Sequence, residues 1–217
     1  MRRLGAGIVA AALVMGLSGV AVAAPQATAH RTKLVGTFEL TAGKQNGTGS
    51  YFRMRTPGHS GYVQNDGSSY IPLRPGTEGG LVTGAFEPQP SPAFNGRGDS
   101  LSGKIFAPQP FEAVNFGAST QSIDPQTHKS VPAPTITVSG GKLSGNLSAI
   151  SVSWNKQQFN QGSPKPGGGY SGQTTAVTGT YNARTHHYTL TWTSQIVGGP
   201  FNGFTGEWHF TGTFVAR

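Results

Sequence analysis

The 217 residues carry 16 Lys and Arg against 8 Asp and Glu, include 33 glycines and 15 prolines, and contain no cysteine. The lack of cysteine excludes disulfides, a lipid-modified cysteine and thiolate metal sites. The basic residues are scattered, with Arg31 and Lys33, and Arg53 and Arg55, as the closest groupings, which argues against a nucleic-acid-binding stripe.

Arg2 and Arg3 precede an apolar run from Leu4 to Val22, which closes on the small-residue pattern Ala21-Val22-Ala23. Residues 1–23 are therefore expected to be a cleaved signal peptide. The mature chain is then secreted, extracellular or associated with the cell surface, with no membrane span. Without Arg2 and Arg3 it has 14 basic and 8 acidic residues, about +6. Charge spread in this way serves solubility, or weak attraction to acidic surface polymers. Residues 24–32 read as a flexible lead-in. Residues 33–217 read as one all-β domain, an antiparallel β-sandwich or β-barrel.

The all-β expectation rests on periodicity. Short alternating runs of Thr, Val, Phe, Tyr and Trp are separated by turn residues, and no long stretch repeats every 3.6 residues. Asn65-Asp66-Gly67 predicts a hairpin turn. Phe86-Glu87-Pro88-Gln89-Pro90 recurs twenty residues later as Phe106-Ala107-Pro108-Gln109-Pro110, and each copy predicts a strand leading into an extended loop. A second motif (apolar, Thr or Ser, Gly, any residue, apolar) starts at Val82, Leu101, Leu143, Val177, Phe204 and Phe210. In a strand it puts both apolar ends and the glycine on one face, leaving space for a neighbouring ring.

Asp124-Pro125-Gln126-Thr127-His128 and Asn182-Ala183-Arg184-Thr185-His186 match as turns. Asp or Asn opens each, and the histidine falls where positive φ is wanted. Between them, Leu143 and Leu147 share one parity while Ile150, Val152 and Trp154 share the other, predicting a bulge or break near Ser148-Ala149. The polar run after Trp154, through Gly169, predicts an exposed, mobile loop. Two strands close the chain. Tyr188, Leu190 and Trp192 alternate with threonines, and Phe204, Gly206, Trp208, Phe210, Gly212 and Phe214 share one face.

Three functional readings follow. The first is a non-catalytic binding or surface-interaction module with an extracellular glycan as ligand. Its candidate residues are Trp154, Asn155, Gln158, Phe159, Asn160, Phe201 and Asn202, because aromatic faces flanked by amides can stack on sugar rings and hydrogen-bond their hydroxyls. Trp154 and Phe159 read more readily as core residues at the end of a strand, because aromatics are usually buried. The second is a surface-polymer hydrolase or lyase using Glu207 and His209, which share one strand face. The third is a carrier of a small apolar ligand inside a barrel lined by Trp192, Phe204, Trp208 and Phe210. A metal site of His187, Glu207 and His209 is not expected, nor are cofactors, since the glycines punctuate strands and build no phosphate loop.

Overall fold

The computed structural model describes residues 30–166 and 173–217. The expected signal peptide (residues 1–23), residues 24–29 of the expected lead-in and residues 167–169 of the polar run lie outside the described residues.

In chain order the strands are β1 (Thr32–Leu34), β2 (Gly36–Leu40), β3 (Tyr51–Arg55), β4 (Ile71–Pro72), β5 (Gly80–Thr83), β6 (Gln109–Phe111) and β7 (Val114–Thr120). They continue as β8 (Thr135–Ser139), β9 (Lys142–Asn146), β10 (Ile150–Trp154), β11 (Gln157–Asn160), β12 (Val177–Tyr181), β13 (His187–Gln195) and β14 (Thr205–Ala216). Ten of them form one nearly closed, barrel-like antiparallel sheet, ordered β1-β8-β9-β12-β13-β14-β2-β5, with β3 on β14 and β4 on β3. The sheet β11-β10-β7-β6 forms a second layer. Thr83 draws the two open edges together, its hydroxyl lying 2.9 Å from the Leu34 carbonyl and 3.1 Å from that of Gly36. Among the described residues no helix is long and apolar enough to cross a membrane.

Alternation fixes the faces. Along β13 the side chains of Tyr188, Leu190, Trp192 and Ser194 are buried, while those between them are exposed or half-exposed. On β14, Trp208, Phe210 and Phe214 turn inward. Trp192 and Trp208, opposite each other in register, stack at 5.7 Å, and Phe210 meets both edge-on. Phe116 of the second sheet packs on Phe52 and Phe106, so one core serves both layers. Gly206 is required there. A Cβ at that position would lie 2.2 Å from Gln161 Oε1 and 2.9 Å from the Phe52 ring, so the ring does occupy the space the glycine leaves.

The expected break at Ser148-Ala149 is where the chain leaves the barrel (β9) for the second sheet (β10). Both matched turns form. The Asp124 carboxylate accepts from the Thr127 amide at 2.7 Å, and the Asn182 side-chain oxygen from the Arg184 amide at 2.9 Å. His128 and His186 follow at φ 56° and 58°, both exposed.

Three expectations need correction. Residues 101–105 form no strand, and Leu101 is exposed, because the local motif does not find a partner strand there. Phe204 lies just ahead of β14, half-buried against Phe201. The run after Trp154 is not a loop throughout. Asn155 and Lys156, at φ 46° and 58°, make a tight turn into β11, and residues 159–163 are buried.

Candidate functional site

The outward side of the barrel carries one continuous row of side chains. In cross-strand register, Lys33 (β1) faces Thr137 (β8), which faces Ser144 (β9), then Thr178 (β12), Thr191 (β13), His209 (β14) and Tyr51 (β3). These residues fall on the polar side because each alternates with core positions on its own strand. All seven are exposed or half-exposed. Six steps of about 4.8 Å give the row a length of roughly 29 Å. A parallel row runs Ser139, Lys142, Thr180, Thr189, Thr211. Neighbouring hydroxyls are paired, Thr137 with Ser144 at 3.1 Å, Thr178 with Thr191 at 3.3 Å and Thr180 with Thr189 at 2.9 Å. Such pairing orients the hydroxyls and leaves each with acceptor capacity.

The row ends in an aromatic and charged cluster. The His209 ring stacks on Tyr51 at 4.8 Å, and Tyr70 meets Tyr51 edge-on at 4.8 Å. Burial holds the half-buried His209 imidazole below its ordinary value. Burial also raises the Tyr51 hydroxyl, against the pull of Arg53. One residue pair along the strands, Arg53 lies opposite Glu207, their charges joined by a 2.7 Å bond from Nε to Oε2. Arg55 pairs with the other carboxylate oxygen, and the Tyr62 hydroxyl lies 3.2 Å from Oε2. The Arg53 guanidinium sits 4.1 Å from the Tyr62 ring centre and 5.1 Å from that of Tyr70, a cation-π arrangement. Burial works against the Arg53 charge, and Glu207 outweighs it, so its pKa is raised. Between this cluster and the threonines lies a cleft of about 260 Å³ lined by Tyr51, Arg53, Thr175, Thr178, Thr193 and His209 among others.

The residues singled out from the sequence separate into an inner and an outer set. Trp154 is buried, with its indole N–H donating to the Phe111 carbonyl at 3.0 Å. Phe159 is buried, and half-buried Phe201 packs on Trp154 at 5.4 Å. These aromatics line an apolar void of about 40 Å³, room for one or two waters. Asn160 is buried and structural, its side-chain amide donating to Asp124 at 2.7 Å and to the Ser148 carbonyl at 2.8 Å. Gln158 accepts from Gln121 at 3.2 Å. Asn155 is exposed in the β10–β11 turn, and exposed Asn202 accepts from the Gly198 amide at 2.8 Å. The group comes together, but its rings face inward. Glu207 and His209 do sit together on the outer face, while His187 lies two rows away from His209, opposite Thr213, its Nε2 3.4 Å from the Thr211 hydroxyl. Among the described residues no three His, Asp or Glu side chains converge as a metal cluster would.

Sequence reading placed the threonines of the last two strands opposite the core face but did not single out Thr137, Ser144 or Thr178, nor Tyr51, Arg53, Tyr62 and Tyr70. The available signal was the alternation of Tyr51, Arg53 and Arg55 with Phe52 and Met54. No protein-family model matches the chain, and no curated protein or solved structure matches it either.

Proposed function

We propose that the protein is a secreted, non-catalytic binding module whose ligand is an extracellular glycan chain held along the outer hydroxyl row, with its end against Tyr51 and His209. The observation that carries this reading is the unbroken register of polar side chains across seven strands, closed by a stacked aromatic pair. A linear polymer of hydroxylated rings presents donors and acceptors at every unit. It is the chemistry such a row can meet repeatedly, while an aromatic face offers the apolar side of one ring a platform.

The hydrolase reading has less support. Both Glu207 oxygens are engaged by guanidinium groups and a tyrosine hydroxyl, so among the described residues this carboxyl beside His209 is not free to give a proton to a leaving group. A carrier role would need more interior space than about 40 Å³.

Retention on immobilised polysaccharides tests the proposal. The wild type is expected to bind at least one, and Tyr51→Ala with Thr191→Val to weaken that binding about tenfold or more. Equal retention of both proteins, or of neither, would count against the outer face.

A further inference from the structure

Two guanidinium groups, those of Arg53 and Arg55, share the single carboxylate of Glu207, so the three side chains together carry one surplus positive charge. The carboxylate lies deeper than the cations. Its side chain is 11% exposed, against 22% for Arg53 and 31% for Arg55. The side of the cluster that solvent reaches is therefore its positive side. Arg53 also lines the cleft of about 260 Å³ beside His209.

Arg53 is held in place before any ligand arrives. Its Nε donates to Glu207, its Nη1 donates to the Tyr70 hydroxyl at 3.3 Å, and the rings of Tyr62 and Tyr70 flank its guanidinium carbon. A guanidinium has five N–H groups, and these bonds engage two of them among the described residues. A fork fixed in this way loses little rotamer freedom when it pairs with an oxyanion. The rest of the cleft opposes no such pairing. Glu207 is the one acid among its lining residues, and both its oxygens are already paired. Thr178, Thr191 and Thr193 bring hydroxyls, and His209 an imidazole. Further along the face, Lys33 in the hydroxyl row and Lys142 in the parallel row are exposed, and neither forms an ion pair among the described residues. Neither row contains an acidic residue.

We propose that the glycan held along this face is acidic, and that the sugar unit seated against Tyr51 and His209 presents an oxyanion, a carboxylate or a sulfate ester, to the unused N–H groups of Arg53. The assignment rests on the glycan reading of the outer row and names the class of polymer that row takes. Ring stacking and hydroxyl pairing alone would accept a neutral chain equally well. Arg53 discriminates, because an oxyanion accepts two N–H bonds in one bidentate contact and neutralises the surplus charge, whereas a sugar hydroxyl leaves that charge in place. Lys33 and Lys142 extend the same preference to units further along the chain.

Calorimetric titration of the purified protein with paired polymers tests the assignment. The pairs are polygalacturonate with its carboxyl-reduced form, and dextran sulfate with dextran; they separate a carboxylate ligand from a sulfate ester. At least one acidic polymer should bind about tenfold or more tighter than its neutral counterpart. Arg53→Lys keeps the charge, loses the fork and leaves Glu207 paired with Arg55, so it should weaken that binding about tenfold with the melting temperature close to that of the wild type. Lys129→Gln, which removes a positive charge exposed in the Asp124 turn, should leave it unchanged. Equal effects of the two variants would reduce the preference to the overall charge of the chain and overturn the assignment, as would binding of neither acidic polymer. Poly-L-glutamate bound as tightly as the acidic glycan would overturn the sugar. The comparison of polymers on the wild type needs no variant, so it decides the matter even where Arg53→Lys fails to fold. Neutral and acidic polymers bound alike, and both weakened by Tyr51→Ala with Thr191→Val, would overturn the acidic assignment and leave the outer-row reading standing. Acidic binding lost in Arg53→Lys but untouched by that double variant would uphold the arginine and overturn the row.

Discussion

Lys165 offers the sharpest test of the packing. It is 8% exposed, and its ammonium donates to the Asn160 carbonyl at 2.5 Å. Burial lowers its pKa from 10.5 to about 7, against a small opposing pull from Asp124. A base depressed on folding costs stability wherever the folded state must carry the charge. The full cost therefore applies below about pH 7, shrinks between 7 and 10.5, and is gone above 10.5. At 1.36 kcal/mol per pH unit, the span from 10.5 to about 7 amounts to about 5 kcal/mol as an upper figure. Lys165→Met keeps the length and removes the charge, and the Asn160 carbonyl retains the Gln161 side-chain amide at 3.0 Å. Chemical denaturation of both proteins from pH 6 to pH 10 gives the comparison. The variant should be the more stable at pH 6 by several kcal/mol, with the advantage falling by about 1.4 kcal/mol per pH unit above 7. A pH-independent difference would show that the amine is not buried as described. A variant less stable at pH 6 would show that its hydrogen bonds outweigh desolvation.

Other perturbations follow from the same geometry. Glu87 has the opposite sign. With its carboxyl raised from 4.5 to about 7, wild-type stability is full below pH 4.5 and falls by about 3 kcal/mol as pH rises to 7, and Glu87→Gln should lose that slope in denaturant melts. Gly206→Ala should cost about 1–3 kcal/mol by urea denaturation, because its Cβ would overlap Gln161 and Phe52. His186→Gly should be neutral or stabilise by up to about 1 kcal/mol, since it relieves positive φ in an exposed turn. A clear drop in melting temperature would mean the imidazole makes contacts that matter, its 6.2 Å approach to Tyr181 being the first suspect.

What could be read from the sequence is what local chemistry decides. The paired turns at Asp124 and Asn182 were legible because the capping side chain and the positive-φ histidine lie within five residues of each other. The faces of β13 and β14 were legible because alternation needs no partner. Residues 157–163 were not. Their polar composition suggests exposure, yet Asn160 is satisfied by Asp124 and Ser148, and the Gln161 carbonyl by the Trp192 indole at 2.9 Å. Those partners lie 12 to 36 residues away, so local composition could not reveal them. The cluster on Glu207 was hidden for the same reason, as Arg53 is 154 residues distant and arrives only when β3 pairs with β14.

The most direct test of the outer face is quantitative binding to the polysaccharide that retains the wild type best, compared among wild type, Tyr51→Ala/Thr191→Val and an Asn202→Ala control. The account predicts that the double variant loses about tenfold or more in affinity with its fold intact, while Asn202→Ala binds as wild type. Loss on Asn202→Ala with the double variant unaffected would place the ligand at the 198–202 loop and contradict the account.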